Sequence, residues 1–441
     1  MQYDCIIIDP SSPEFNRGSF CYLPYIFYAY LKTRGLNVLL LEDFNCSQID
    51  DVPEAEDYFV GLWSYPQIDN ALVINRFLRK KPFFFGYYPL IEKLKLKERR
   101  ILENEILTGI ETYVNFYHDF AHILLSDCDM HLRKYEGQVY PLFTSYGCPN
   151  GCAFCPVGVN CNRKRIELPV WNVKKVLDIC EKQGYKNIHF TDEDFFFNSS
   201  RALDILQYTQ GKGFNYIALG SVRSVTKFIE RYGVDILNQC GMRLIEVGLE
   251  SADPELNKKM GKPGLDKYSF LAEQTKGKVD IFWLTMTFFP GETIGSLRAT
   301  GSFLEQYGFA IHELYGRVQT NSTVGGLGQF FQPYVGAAGA DRLEEKGIIL
   351  SERPIRLLPS FVPFSFLYSK IKKARPIRTD EEKWFDLYGI DRSLLTYELH
   401  PELGQEKEIL MKDIYLDLIE YFAKEDVVTY LAILARLGVI E

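Results

Sequence analysis

Cysteine is missing from the last 201 residues of this chain: all ten cysteines lie between Cys5 and Cys240. The absence excludes a cysteine-ligated cluster within the C-terminal region, and any cysteine there as a hydrogen-atom donor. Also missing is an apolar run approaching the ~20 residues of a membrane span. Met1-Gln-Tyr-Asp4 has neither the basic nor the apolar segment of a signal peptide. The expectation is a cytoplasmic protein with no membrane span. A formal net charge of -8 leaves no broad basic face, so no nucleic-acid partner that depends on one is expected. Internal repeats and low-complexity segments are absent. What is present, 441 residues of which 46% are hydrophobic, suffices for two or three domains with a buried core. The cysteines that do occur fit a reducing compartment, where thiols stay available for metal.

The order of apolar and polar segments alternates between strand-like and helix-like runs. Residues 3–10 read as a buried strand, 21–32 as an aromatic helix stopped at Gly35, and 36–41 as a second strand. Strands at 58–63 and 82–86 flank a helix at 68–79. This alternation predicts an open parallel Rossmann-like sheet, a domain spanning residues 1–138. From Pro141 the alternation lengthens, with strands at 142–146, 187–191, 216–219, 244–248 and 280–288 and helices at 170–183, 200–212 and 226–239. Repeated units of this kind close into a partial or full parallel barrel, here residues 139–316, with its chemistry at the C-terminal strand ends. After Arg317 glycines at 325, 326, 328, 336 and 339 and prolines at 354, 359 and 363 read as loops. Two amphipathic helices follow within 405–437. Residues 317–441 are thus expected to form a mainly helical cap over a substrate pocket, and the fold class is α/β.

At the end of the first barrel strand stands Thr144-Ser-Tyr-Gly-Cys-Pro-Asn-Gly-Cys-Ala-Phe-Cys155. Cys148, Cys152 and Cys155 are spaced C-x3-C-x2-C. Thiolates are soft ligands for iron and zinc, and four of them normally close a 4Fe-4S cluster or a structural zinc site. Three on one loop leave one iron open. A zinc site would favour paired C-x2-C knuckles and a fourth ligand, for which Cys161 is the candidate. Cys161, Cys180 and Cys240 otherwise read as core or loop positions. The six histidines form no metal-like pair that the sequence alone establishes.

The cysteine loop resembles that of the radical S-adenosylmethionine (radical SAM) superfamily, and the later strand ends resemble it too. Thr191-Asp-Glu-Asp-Phe-Phe-Phe-Asn198 is similar to the Asp-Asp-x-Phe-x-x-Asn segment of members that carry a cobalamin-type N-terminal domain. Gly220-Ser-Val-Arg-Ser224, the run from Leu244 through Gly-Leu-Glu-Ser251 to Lys262, and Phe288-Phe-Pro-Gly-Glu-Thr293 match further motifs, and Asn162-Arg-Lys-Arg165 matches a basic pair. The resemblance implies a partial (β/α)6 radical SAM barrel with the cluster on Cys148, Cys152 and Cys155. It implies SAM contacts from Asp192, Glu193, Ser221, Arg223, Gly248, Glu250 and Ser251, with Asp194 a further candidate acid. It also implies an enzyme that reductively cleaves SAM to a 5'-deoxyadenosyl radical. That radical takes hydrogen from an unactivated carbon of a small-molecule or peptide substrate, and a flavodoxin or ferredoxin supplies the electron.

The N-terminal domain is loosely similar to the cobalamin-binding domain of radical SAM methyltransferases, through Asp9-Pro10, Gly35, Ser64, Gly86 and Leu107-Thr-Gly-Ile-Glu111. Two departures speak against cobalamin itself: no Asp-x-His-x-x-Gly occurs, and Gly86-Tyr87-Tyr88 stands where the family often has Gly-Gly. A cobalamin-dependent C-methyltransferase, a peptide epimerase and a non-catalytic metal- or cobalamin-binding protein are the alternatives. The missing C-terminal cysteine counts against the epimerase.

Overall fold

In a computed structural model, the described residues are 3–10, 23–62, 67–86, 139–161, 163–287, 289, 294–307, 327–330, 337–338 and 361–363. Ser64, Tyr87, Tyr88, residues 107–111, His118, His122, His131, Asn162, residues 290–293 and the helices expected within 405–437 lie outside them.

The first sheet contains β1 (Tyr3–Pro10), β2 (Val38–Phe44), β3 (Ala55–Leu62) and β4 (Phe83–Gly86), all parallel, in the order β2-β1-β3-β4. Helix α1 (Leu23–Thr33) connects β1 to β2, and α2 (Ile68–Phe77) connects β3 to β4. Strand order reverses between β1 and β3, the switch point where doubly wound sheets open a ligand crevice. The run Ile6-Ile7-Ile8 explains why β1 is central. Successive side chains point to opposite faces, and all three are fully buried. Ile7 joins Phe27 and Phe59 in one apolar cluster, whereas Ile6 and Ile8 join Ala71 and Ile74 in another.

The second sheet is the barrel wall. β5 (Val139–Leu142) is followed by a two-stranded antiparallel ribbon, β6 (Ser145–Tyr146) and β7 (Ile166–Glu167), then by β8 (Asn187–Phe190), β9 (Asn215–Gly220), β10 (Met242–Glu250), β11 (Asp280–Thr287) and β12 (Leu327–Phe330). The six strands β5, β8, β9, β10, β11 and β12 run parallel in that order, and β13 (Phe361–Pro363) adds antiparallel to β12. Among the described residues β5 and β12 do not pair, so the barrel is partial. Its helices are α3 (Val157–Asn160), α4 (Val170–Lys182), α5 (Ser199–Tyr208), α6 (Val222–Tyr232), α7 (Asp235–Gln239), α8 (Pro254–Lys259), α9 (Leu265–Thr275) and α10 (Ile294–Tyr307). Helix α4 shows why such segments cover the sheet: Val173, Val176, Leu177 and Cys180, three and four residues apart, are its buried stripe. Among the described residues no helix is long and apolar enough to cross a membrane.

Two differences from the sequence expectation have local causes. The helix expected over 226–239 begins earlier and breaks into α6 and α7 at Gly233, whose φ of +79° suits glycine and ends a helix. The sixth parallel strand, β12, falls inside the expected cap and not within 139–316. Its Gly-Gly-Leu-Gly surroundings carry the signature of a loop, and pairing of Thr285 to Thr287 with residues 328–330 overrides it.

Trp283 on β11 packs edge-on to Phe303 of α10 at 5.3 Å and against Tyr268 of α9 at 6.2 Å, so it ties two helices to the wall. Trp283→Ala is expected to cost about 3–5 kcal/mol, read as a lower urea midpoint with an unchanged slope.

Candidate active site

The three cysteines sit on a loop suspended from the β6–β7 ribbon, at the C-terminal end of β5. The base of the loop is clamped. Leu168 N–H donates to Thr144 O (2.9 Å), and Arg201 Nη2 on α5 donates to both Thr144 O and Leu168 O at 2.8 Å each. Arg201 Nη1 donates to Thr144 Oγ1 (3.1 Å), which donates in turn to Asp192 Oδ1 (2.8 Å). Ser145 Oγ also bonds Asp192 Oδ1, and Thr144 N–H reaches Asp192 Oδ2 at 3.2 Å. Asp192 is fully buried. Its carboxylate thus ties β8 to the base of the cysteine loop.

Within the loop, Gly147 has φ +84°, and a Cβ there would lie 2.3 Å from Lys164 O and 3.1 Å from Cys161 Sγ. Only glycine fits this close approach. Cys161 Sγ accepts from Cys148 N–H (3.4 Å) and donates to Val157 O (2.9 Å), so it is a strut inside the loop. Among the described residues, no three His, Cys, Asp or Glu side chains close around a single metal ion. The remaining thiols are free. Burial pushes Cys148 up to about 11 and Cys155 up to about 12, against backbone N–H groups of Asn150 and Val157 that favour the thiolates. N–H donors aimed at sulfur are the means by which a protein stabilises cluster thiolates. Three free thiols on one loop, two of them with such donors, fit a 4Fe-4S cluster with one iron left for another ligand.

Beside this loop lie groups whose polar atoms are incompletely used. Glu193 Oε2 accepts from Gly147 N–H (3.1 Å), and burial, reinforced by Asp192, pushes its carboxyl up to about 7. Asp194 accepts from Ser224 Oγ at Oδ1 (2.5 Å), but its buried Oδ2 has no hydrogen-bond partner. Arg165, 6% exposed, bonds Glu167 through Nε (3.2 Å) while both terminal nitrogens are buried and unpartnered. A buried cationic fork and a buried carboxylate oxygen left without partners suit a ligand carrying both an anion and a cation. The carboxylate and ammonium of SAM's methionyl group have that chemistry.

Ser221 is placed as the N-cap of α6, its Oγ accepting from Ser224 N–H (3.2 Å). Arg223, in the first turn of the same helix, is exposed. Ser251 is buried, accepts from Asp253 N–H (3.1 Å) and lies 3.3 Å from Thr300 Oγ1, so it fastens the end of β10 to α10. Gly248 and Glu250 lie against Lys262. Glu250 has φ +59°, rare outside glycine, where β10 shifts register. That turn directs its Oε1 to Lys262 Nζ at 3.0 Å. A Cβ on Gly248 would meet Glu250 Oε1 at 2.4 Å and Lys262 Nζ at 2.7 Å. The missing side chain at Gly248 makes room for this ion pair. Arg201 and Lys262 were missed as site residues because neither lies at a strand end; for Arg165 the unfilled guanidinium appears only in the folded chain.

Residues 142–304 match the family model of the Radical SAM superfamily. Among solved structures, a radical S-adenosylmethionine methyltransferase of Kitasatospora setae, TsrM, with tryptophan substrate and a SAM analogue bound, is 13% identical. The match covers 81% of this chain and 79% of that one, with a TM-score of 0.55. The cobalamin-dependent S-adenosylmethionine radical enzyme OxsB, with aqua-cobalamin and S-adenosylmethionine bound, is 12% identical over 98% of this chain and 74% of that one, TM-score 0.56. These likenesses show a shared fold. An uncharacterized methyltransferase of Pyrococcus horikoshii is 29% identical over 40% of this chain and 39% of its own length. The bacteriochlorophyllide d C-12(1)-methyltransferase of Chlorobaculum tepidum is 26% identical over 43% of this chain and 41% of its own. The chain thus spans about two fifths of the curated relatives it matches.

Arg201→Met would leave Asp192 buried without this cation and the Leu168 carbonyl without its donor. The expected loss is about 3–5 kcal/mol, measured by urea unfolding of the metal-free protein. Glu193 generates a pH effect of determined sign. A carboxyl raised from 4.5 to about 7 binds its proton more tightly when folded. Its contribution is therefore intact below the unfolded value and is lost as pH rises through about 7. In metal-free protein, Glu193→Gln should flatten the fall in unfolding free energy over that window; an unchanged slope would assign it to other groups.

Proposed function

We propose that this chain is a radical SAM enzyme of the methyltransferase type, in which Cys148, Cys152 and Cys155 hold a 4Fe-4S cluster. The observation that carries the radical SAM reading is the clamped loop with its three free thiols at the C-terminal end of β5, beside unfilled buried polar groups. When bound, the cluster and SAM supply reductive cleavage of the sulfonium and a 5'-deoxyadenosyl radical.

The chain's own residues hold and orient. Glu193 and Asp194 offer carboxylate oxygens to the ammonium of SAM, and Arg165 and the exposed Arg223 are the cations for its carboxylate. Arg can meet a carboxylate with two parallel bonds, which fixes orientation as well as position. The partial barrel limits water access at the strand ends, which protects a reactive species.

Methyl transfer is supported by the two curated relatives, both methyltransferases, and by the parallel sheet of switch-point topology that precedes the barrel. A second reading, radical chemistry without cobalamin, is favoured by Gly86-Tyr87-Tyr88 and the lack of Asp-x-His-x-x-Gly. The substrate is an organic molecule or peptide with an unactivated carbon, and the electron comes from a flavodoxin- or ferredoxin-type donor.

Anaerobic reconstitution with iron and sulfide, with and without hydroxocobalamin, tests the reading. The wild-type chain should turn brown, retain a corrinoid spectrum after desalting, and release 5'-deoxyadenosine on reduction with SAM. Alanine at Cys148, Cys152 or Cys155 should abolish the nucleoside product. Cluster and nucleoside without retained corrinoid would favour the second reading, and no cluster would overturn both.

A further inference from the structure

Lys262 is a largely buried cation placed against the cysteine loop by two independent anchors. The first is backbone. Ala153 N–H donates to Met260 O (3.0 Å), and Gly261, with φ +79°, lies so close that a Cβ would be 3.1 Å from Gly151 O and 3.7 Å from Cys152 Cα. The segment that carries Lys262 is thereby stacked on the segment that carries Cys152. The second anchor is the ammonium, which donates to Gly248 O (3.1 Å) and Glu250 Oε1 (3.0 Å) and stands 5.3 Å from the ring centre of Phe154, between Cys152 and Cys155. Its charge is felt at Cys155, and that of Cys152 is felt at Lys262.

This placement carries costs that packing alone does not require. Glu250 adopts a left-handed backbone that strains a residue with a side chain, and Gly248 gives up its side chain. An aliphatic residue at 262 would fill the space without either. We propose that the Lys262–Glu250 pair tunes the reduction potential of the cluster on Cys148, Cys152 and Cys155, with Lys262 raising it and Glu250 limiting the rise. The inference rests on the reading that these cysteines hold a cluster. Reduction adds one electron to the cluster, so a fixed cation nearby favours the reduced form and a fixed anion opposes it. The carboxylate is the counter-ion of the ammonium, and their opposite charges make the two effects opposite in sign and separable. Lys262 and Glu250 are positioning residues in this account.

The test is the midpoint potential of the reconstituted cluster without SAM, followed by electron paramagnetic resonance during a mediated titration, with iron and sulfide counted per chain. Lys262→Met should lower the reduction equilibrium constant roughly tenfold, about 59 mV more negative, and Lys262→Arg should restore it. Glu250→Gln should move the midpoint in the positive direction. Shifts of opposite sign support the proposal. Equal potentials, or shifts of the same sign, overturn it. If Lys262→Met holds no cluster, Glu250→Gln decides alone: a positive shift supports tuning, and an unchanged or negative one overturns it. Failure of the wild-type chain to take up a cluster would instead overturn the underlying reading.

Discussion

Arg201 reaches from α5 into the barrel wall and gives one nitrogen to the carbonyls of both Thr144 and Leu168, the residues on either side of the ribbon that carries the cysteine loop. Its other terminal nitrogen bonds Thr144 Oγ1, and Asp192 balances its charge through that hydroxyl. A guanidinium suits this place because its donors lie in a fixed plane and reach two carbonyls and a hydroxyl together. Loop residues 147–165 have little regular structure of their own, apart from the single turn of α3. Where the three thiols stand is therefore decided by the clamp below and by the contact with Met260 and Gly261 beside them.

The site divides into a support and a receiving face. Asp192, Ser221, Ser251 and Cys161 have their hydrogen bonds completed inside the protein, and they hold the loop, α6 and the end of β10 in place. Glu193, Asp194 and Arg165 retain unused charge or hydrogen-bonding capacity around the loop. Buried polar atoms without partners are costly in an isolated fold, and those of Arg165 and Asp194 are the ones that the proposed SAM contact would satisfy.

Much of this architecture was legible in the sequence because its signals are local. The C-x3-C-x2-C spacing, the glycine before it and the isoleucine run of β1 each specify structure within a few residues. The roles of the acids were not legible in the same way. Asp192, Glu193 and Asp194 stand side by side after β8 and look equivalent as a string, yet only the first meets the hydroxyls of Thr144 and Ser145. The approach of Lys262 to Gly248 was not legible either, because Lys262 arrives after an intervening helix. The strand at 327–330 was hidden by its glycines, since pairing with β11 and not side-chain pattern makes it a strand.

The central claim is that three cysteines leave one site of the cluster open to SAM. Electron paramagnetic resonance of the reduced, reconstituted protein with and without SAM tests this most directly. The account predicts a change in the cluster signal when SAM is added, lost on substitution of Glu193 together with Arg165. A signal indifferent to saturating SAM would contradict it.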